Sequence, residues 1–571
     1  MATAHTHQLT REEIAREEIG RTAVSRPLAL VLAAFFLVVA FGWMPVQHWV
    51  AARAAARGGA RQAPPLAHSL GRLPDQWRKT DGQPWLRRVF AANAEVLRGI
   101  HATDEWLDSS SWIMAATLPG VQTLLSRGLG VGNEKAYVGR DGWLYYRPDI
   151  DHLAGPGFLA PRQLQRRAAG GSEWHRPPQP DPVRGVLDFH RQLQARGIQL
   201  VVLPVPVKAA IHPEHFHPAA GNAGHPLRNP SFGDWARRLE QAGVVVVDVA
   251  DALFAAARDE RRPQYLATDT HWRPEAMERA AAIVAARIAA LPDAPARRGE
   301  CRRGSGTATN RGDLATMLSL PEALRPAPET VAIHPVYTER QELWRASPEA
   351  PVLVLGDSFC NVYSLPAMGW GGGAGFAEQL SCELGLPVDR LVRNDDGAWA
   401  TRQMLARELA QGRDRLAGKR VVVWEFAARE LTGGDWRDVP MDLGQPAARG
   451  FLALAPGQIV AATGTVVAVS PVPLPGSVPY RDHVVAAHLA DLECVPRQTP
   501  ENAEAVVYLR SMKNNELQPA AFLRGGQSVA VRLSAWQDVA AELDSINRGE
   551  LDDWELQLHE PLWGELTDED P

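Results

Sequence analysis

Cysteine is scarce in this chain, with four residues among 571: Cys301, Cys360, Cys382 and Cys494. These are too few and too scattered to build a disulfide scaffold or a structural zinc site. A single bridge such as Cys360 with Cys382 is compatible with the spacing; otherwise Cys360 reads as a small apolar filler of the core. No cluster of His, Cys, Asp and Glu with metal-ligand spacing competes for a catalytic role, so neither metal nor cofactor is expected. A basic excess is missing as well. Lys and Arg number 60 against 66 Asp and Glu, a net charge of −6, which argues against nucleic acid as a partner.

What is present is ordinary for a globular protein, with 45% hydrophobic residues and length for three or four domains. Residues 27–46 form an uncharged run rich in Leu, Val, Ala and Phe, long enough to cross a bilayer as a helix. The segment 1–26 before it is longer than a signal-peptide n-region and carries Glu12/Arg16 and Glu17/Arg21 at helical pair spacing, so an uncleaved anchor is expected. Arg21 and Arg26 on one side and Arg53, Arg57 and Arg61 on the other leave its orientation open by charge alone. Residues 47–130, rich in Ala, Arg, Gly and Pro at their start, read as a tether with short helices.

From about residue 134 the pattern becomes that of a folded domain. Helical periodicity at 186–196, 235–242 and 271–291 alternates with apolar runs at 198–205, 244–249, 352–355 and 420–426. That alternation predicts an α/β fold with a parallel sheet covered by helices on both faces, spanning 131–440. The stretch 139–146 reads as a turn feeding an aromatic strand, and 152–182 as a long loop. Beyond about 445 the chain turns to strand-like runs at 459–469, 506–509 and 529–533, separated by Pro/Gly turns. Residues 445–571 are therefore expected to form a small β-rich accessory domain, an OB-like barrel with carbohydrate as its expected ligand. Its acidic end, with Asp552, Asp553, Glu560, Glu565, Asp568, Glu569 and Asp570, reads as a solvated tail.

Two short motifs carry chemistry. Asp269-Thr270-His271-Trp272 comes first and Gly356-Asp357-Ser358-Phe359 second. A serine hydroxyl is a poor nucleophile until an imidazole takes its proton and a carboxylate fixes that imidazole's tautomer, and all three parts are here. Ser358 follows the apolar run 351–355, at the carboxyl end of a strand where open α/β sheets build their sites. Either motif alone is common, since such serines often cap turns and lone histidines are often satisfied loop residues. Their conjunction at β-to-α transitions of one sheet favours a triad.

The Gly-Asp-Ser-Phe block resembles the nucleophile block of SGNH hydrolases, whose ordinary members carry the nucleophile first and an Asp-x-x-His pair last. Here the order is reversed and the spacing is Asp-x-His. That arrangement resembles the SGNH-like domains of the alginate O-acetylation proteins and their relatives in other exopolysaccharide systems. The likeness runs over roughly 130–435, through 139–146, Pro204-Val205-Pro206-Val207-Lys208 with Ile211 and Pro213, both chemical motifs, and Val423-Trp424-Glu425-Phe426.

The resemblance implies an SGNH-like (flavodoxin-like) three-layer sandwich and a polysaccharide O-acetyltransferase. It makes Ser358 the nucleophile, His271 the general base and then acid, and Asp269 the orienting carboxylate, with Asp357 left to hold the turn. Oxyanion donors would be the Ser358 N–H with Asn394 and Gly397. It also implies an inner-membrane anchor, a catalytic domain in the periplasm, and three kinds of partner. These are a polysaccharide acceptor, a multispanning membrane acyltransferase that delivers acetyl, and other proteins of exopolysaccharide synthesis and export. Trp272 and Trp399, close to the proposed site in sequence, are equally candidates for a sugar-stacking platform and for core residues. Lys208 is a candidate for binding an acidic sugar carboxylate, the alternative being an ion pair with a glutamate. Two other readings remain: an acetyl esterase using the same acyl-enzyme, and a non-catalytic polysaccharide-binding or export scaffold.

Overall fold

The computed structural model describes residues 25–37, scattered positions between 73 and 100, and 112–567 apart from 171–176, 298, 300, 395–396, 411, 445–449, 474, 476–477, 479, 496–502, 526 and 552. The chain has two compact units. One takes in Leu125–Pro571, the other Thr10–Leu124. In the latter, the helix Arg26–Leu37 has every side chain exposed and covers only the first part of the expected membrane span. No helix among the described residues is long and apolar enough to cross a membrane; 38–46 and most of the expected tether lie outside those residues.

The larger unit is built on five parallel strands: β1 (Gln199–Val205), β2 (Val245–Val246), β3 (Val352–Gly356), β4 (Asp389–Val392) and β5 (Val421–Ala427), in the order β4-β3-β5-β1-β2. The period-two rule of a strand separates its side chains cleanly. Val201, Leu203, Val352, Val354, Val421 and Val423 enter one core, while Leu200, Val202, Leu353, Leu355, Val422 and Trp424 enter the other. Such continuously apolar strands suit a sheet buried on both faces. The helix Pro274–Ala289 covers the first face with Met277, Ala280, Ala281, Val284 and Ile288. Pro182–Gln194 and Phe232–Gln241 cover the second with Val186, Phe189, Leu193, Trp235 and Leu239.

Three local features add to or correct the sequence reading. The stretch 152–182 is not one long loop, because the helix Arg147–Ala154 runs into it and Pro161–Ala168 lies within it, each with Pro in its first turn. Strand β4 at the sheet edge was not foreseen; its alternation Asp389-Arg390-Leu391-Val392 is short, and Asp389 is fully buried by ion pairs with Arg415 and Lys419. The disulfide joins Cys301 to Cys382, not Cys360 to Cys382, and Cys360 is free and buried in the core, as its reading as an apolar filler expects.

The β-rich block closes into a barrel. Strands β6 (Ile459–Val469), β7 (His483–Val495), β8 (Ala505–Lys513), β9 (Ser528–Ala535) and β10 (Leu562–Leu566) pair in the ring β6-β7-β8-β10-β9-β6, with β8 and β10 parallel. Its interior holds Ala462, Val466, Val485, Ala487, Val507, Leu509, Val531 and Leu533. The opposite side of the same strands, with Val484, Ala486, Val506 and Tyr508, joins Trp536 and Trp563 in the core that also covers the parallel sheet. The acidic end is not wholly a tail: Glu565 stands on β10 and pairs with Arg532, and Glu560 pairs with Arg413 of the sheet domain.

Candidate active site

Strands β3 and β5 lie side by side, and their carboxyl ends carry the turn that presents Ser358. Gly356 must be glycine here, because a Cβ would sit 2.7 Å from Cys360 Cβ and 2.9 Å from Glu425 Oε2. Asp357 caps the one-turn helix Ser358–Asn361 by accepting from the Phe359 N–H at 2.8 Å. Its other oxygen accepts from the Ala427 N–H at 2.7 Å, and its own N–H donates to Glu425 Oε2 at 3.0 Å. Asp357 thus fastens the turn to the end of β5 and is fully used in doing so. Glu425 is fully buried, and burial together with the Asp357 charge holds its carboxyl well above the usual range.

The Asp-Thr-His loop enters from the helix Pro274–Ala289, whose first helical residue is Pro274. Asp269 Oδ1 accepts from His271 Nδ1 at 2.6 Å and from the His271 backbone N–H at 3.0 Å. Oδ2 accepts from Trp370 Nε1 at 2.8 Å and from the Asp313 N–H at 3.0 Å. His271 is 1% exposed, and its Nε2 is buried with no hydrogen-bond partner among the described residues. The imidazole centroid lies 4.8 Å from the ring of Phe359, the neighbour of Ser358. Trp272 Nε1 donates to the Phe359 carbonyl at 3.1 Å, and the Tyr363 hydroxyl donates to the Trp272 carbonyl at 2.6 Å. These bonds stitch the histidine loop to the serine turn.

Charge is arranged around the imidazole. Burial disfavours the imidazolium, but the charge and hydrogen bond of Asp269 outweigh it, so His271 titrates above its ordinary 6.5. Burial works against the Asp269 carboxylate too; His271 and the Trp370 bond reverse that and hold it at about 2. Asp313 was not foreseen. It accepts from the Thr270 and Leu314 N–H groups at 2.7 Å each, and burial plus the facing Asp269 push it up to about 6. Asp269, His271 and Asp313 are the metal-compatible group among the described residues, with ligand atoms within 4.8 Å. His271 Nδ1 is held by Asp269, and the Asp269 oxygens and Asp313 Oδ1 take two N–H bonds each, while His271 Nε2 stays without a partner among the described residues. The hydrogen bonds join the three residues into one relay.

The other candidates divide. Lys208 is buried, and its Nζ donates to the Leu144 carbonyl at 2.7 Å and the Ala267 carbonyl at 3.2 Å, tying the strand at Leu144 to the loop before Asp269; no glutamate among the described residues pairs with it. Trp272 is fully buried between Phe359 and Phe376 and occupies the core. Trp399 packs partly buried against the second core, with the Arg437 guanidinium 4.6 Å from its ring centroid. Gly397 lies against the turn, where a Cβ would meet Asp357 Cβ at 2.7 Å. Asn394 follows β4, its Oδ1 accepting from Asn361 Nδ2 at 2.9 Å and its own Nδ2 buried without a partner among the described residues; the intervening 395–396 lie outside the described residues. Arg429, also unforeseen, follows β5, pairs with the buried Asp149 at 3.2 Å and lies 5.7 Å from the Phe359 ring centroid.

Residues 136–428, just over half of the chain, match the family model described as SGNH hydrolase-like domain, acetyltransferase AlgX. Among curated proteins, the chain is 32% identical over 206 residues to the probable alginate O-acetylase AlgJ of Pseudomonas aeruginosa, covering 35% of this chain and 45% of that protein. It is 29% identical over 241 residues to the protein of the same description from Pseudomonas fluorescens, covering 40% of this chain and 54% of that one. The chain thus spans about half the length of these curated relatives. Among solved structures, the O-acetyltransferase domain of Pseudomonas putida AlgJ aligns at a TM-score of 0.39 and 22% identity, covering 52% of this chain and 92% of that one.

Proposed function

The chain belongs to the family of the SGNH hydrolase-like domain of the acetyltransferase AlgX, and on that premise we propose that it is an O-acetyltransferase acting on an exopolysaccharide. Ser358 carries the acetyl group, His271 moves the proton and Asp269 orients the imidazole. The observation that carries this reading is the buried Asp269–His271 pair, with Nδ1 engaged at 2.6 Å and Nε2 free beside the residue that follows Ser358. With Nδ1–H committed to a carboxylate, Nε2 is the basic nitrogen, which is the tautomer a general base needs.

The reaction runs in two halves. Nε2 takes the Ser358 hydroxyl proton as the oxygen attacks the donor's acetyl carbonyl, and the imidazolium returns that proton to the leaving group, giving acetyl-serine. A sugar hydroxyl then enters, gives its proton to Nε2 and attacks the acetyl carbon; collapse of the intermediate reprotonates Ser358 and releases the ester. Each tetrahedral intermediate needs donors for its oxyanion, for which the Ser358 N–H, Gly397 and Asn394 are the candidates. Acetyl-CoA is confined to the cytoplasm, so a chain acting on exported polymer takes its acetyl from a membrane acyltransferase. The apolar run at 27–46 would then serve as an anchor that raises the domain's concentration beside that donor.

The test offers the chain an activated acetyl ester and a panel of exopolysaccharide oligomers, with Ser358→Ala as control. The reading predicts acetylated oligomer from the parent and none from the variant. Ester hydrolysis without transfer would make the chain an esterase, and equal activity in parent and variant would leave only a scaffold.

A further inference from the structure

Among the polar contacts between the barrel and the catalytic half, one set reaches the serine turn. Asn547, 2% exposed and fixed by the pairing of Asn547–Arg548 with His483 and Val484, accepts at Oδ1 from the Asn394 backbone N–H at 2.8 Å. Two residues earlier, the Ser545 carbonyl accepts from Asn361 Nδ2 at 3.1 Å, and that same amide donates to Asn394 Oδ1 at 2.9 Å. Asn361 belongs to the one-turn helix that Ser358 opens, and Asn394 lies on the loop leaving β4, beside β3.

This chain of bonds has a direction. A side-chain amide has a donor end and an acceptor end, and neighbours decide which way round it sits. A backbone carbonyl can only accept, so Ser545 forces Asn361 to present its NH2. That NH2 also meets Asn394, which must therefore present its oxygen. The consequence is that Asn394 Nδ2 is left over as a donor, and it is buried with no partner among the described residues. An unpaired buried N–H is costly to keep, and here Asn394 Nδ2 and Asn361 Oδ1 are both left so; of the two only Nδ2 can donate to an oxyanion. Ion pairs hold the same junction closed: Arg407 to Glu550 at 2.5 Å, with Arg393 3.7 Å from the same carboxylate.

We infer that the barrel segment around Ser545 and Asn547 orients the Asn394 amide as an oxyanion donor, so that the barrel is part of the catalytic centre and not only an accessory for holding polymer. Asn547 and Ser545 are positioning residues: they act through Asn394 and touch no substrate. The inference rests on the acetyl-serine reading proposed above.

The experiment uses the full chain and para-nitrophenyl acetate, a donor too small to need a polymer-binding surface. Asn394→Ala and Asn547→Ala are each expected to lower kcat about tenfold or more, with KM little changed, as loss of an oxyanion donor does. The double variant should fall no further than the single ones, because both changes remove the same interaction. Unchanged kcat in Asn547→Ala, or losses that multiply in the double variant, would overturn the inference. If Asn547→Ala does not fold, Asn361→Ala, which breaks the amide relay from the sheet side, carries the test with the same two outcomes. Ser358→Ala run alongside separates the two levels: activity surviving in it refutes the nucleophile itself, whereas its loss together with a normal Asn547→Ala refutes only the role of the barrel.

Discussion

Asp269 and Asp313 face the same imidazole, yet their surroundings drive their protonation apart, to about 2 and about 6. Four N–H bonds satisfy Asp269, whereas Asp313 meets the Asp269 charge across a buried gap. With neutral imidazole as the proposed base, activity should rise with pH through the His271 titration, which lies above 6.5. The Asp313 charge contributes to that elevation. Asp313→Asn is therefore predicted to move the acid limb of the pH–kcat profile to lower pH while activity at high pH is retained; a limb that stays put, or moves up, would contradict the electrostatic account. At this scale the sequence was legible in the pairing of His271 with Asp269 and in the position of Ser358 at the end of a strand, both announced by short motifs. Asp313, Trp370 and Arg429 were not, because none belongs to either motif and nothing in the local sequence ties any of them to the site until the fold brings it in. Lys208 misleads for the opposite reason, since a lysine at a strand's end suggests a ligand, whereas folding turns its amine onto two backbone carbonyls.

At the scale of elements, the loop that carries Asp313 depends on Gly312. Its φ is +85°, and a Cβ there would lie 2.3 Å from the Thr268 carbonyl oxygen and 2.9 Å from Asp269 Cβ. Gly312→Ala should cost about 1–3 kcal/mol from the left-handed backbone alone. It should also shift Asp269, so that kcat falls more than a stability loss of that size explains. Thermal unfolding together with steady-state kinetics checks this, and a variant with parental Tm and kcat would show the close approach to be unimportant. The central strands were readable because a sheet buried on both faces is written as unbroken apolar runs, as at 198–205 and 352–355. Edge strand β4 was hidden by its buried Asp389 and its Arg390, which break that run. In the barrel, His483–Val495 escaped notice because polar residues such as His488 and Glu493 interrupt it, while β10 was masked by the acidic residues around it.

For the whole molecule, sequence alone separates 131–440 from 445–571, since composition and strand pattern change between them. Packing within Leu125–Pro571 tells more: Tyr508, Trp536 and Trp563 share one core with Val352, Val354 and Val423, and that coupling leaves no mark in local pattern. A chain ending before Ile459 should therefore expose apolar surface and lose its cooperative thermal transition. A soluble, monomeric fragment with a sharp transition would contradict this. The account as a whole turns on a covalent intermediate at one serine. The measurement that tests it most directly is mass spectrometry of the chain quenched during turnover of an activated acetyl ester, with the modified peptide sequenced. The account predicts a mass increase of one acetyl group on the peptide bearing Ser358, absent in Ser358→Ala and accumulating when the sugar acceptor is withheld. Turnover with no acetylated peptide, or with acetyl on another residue, would contradict it.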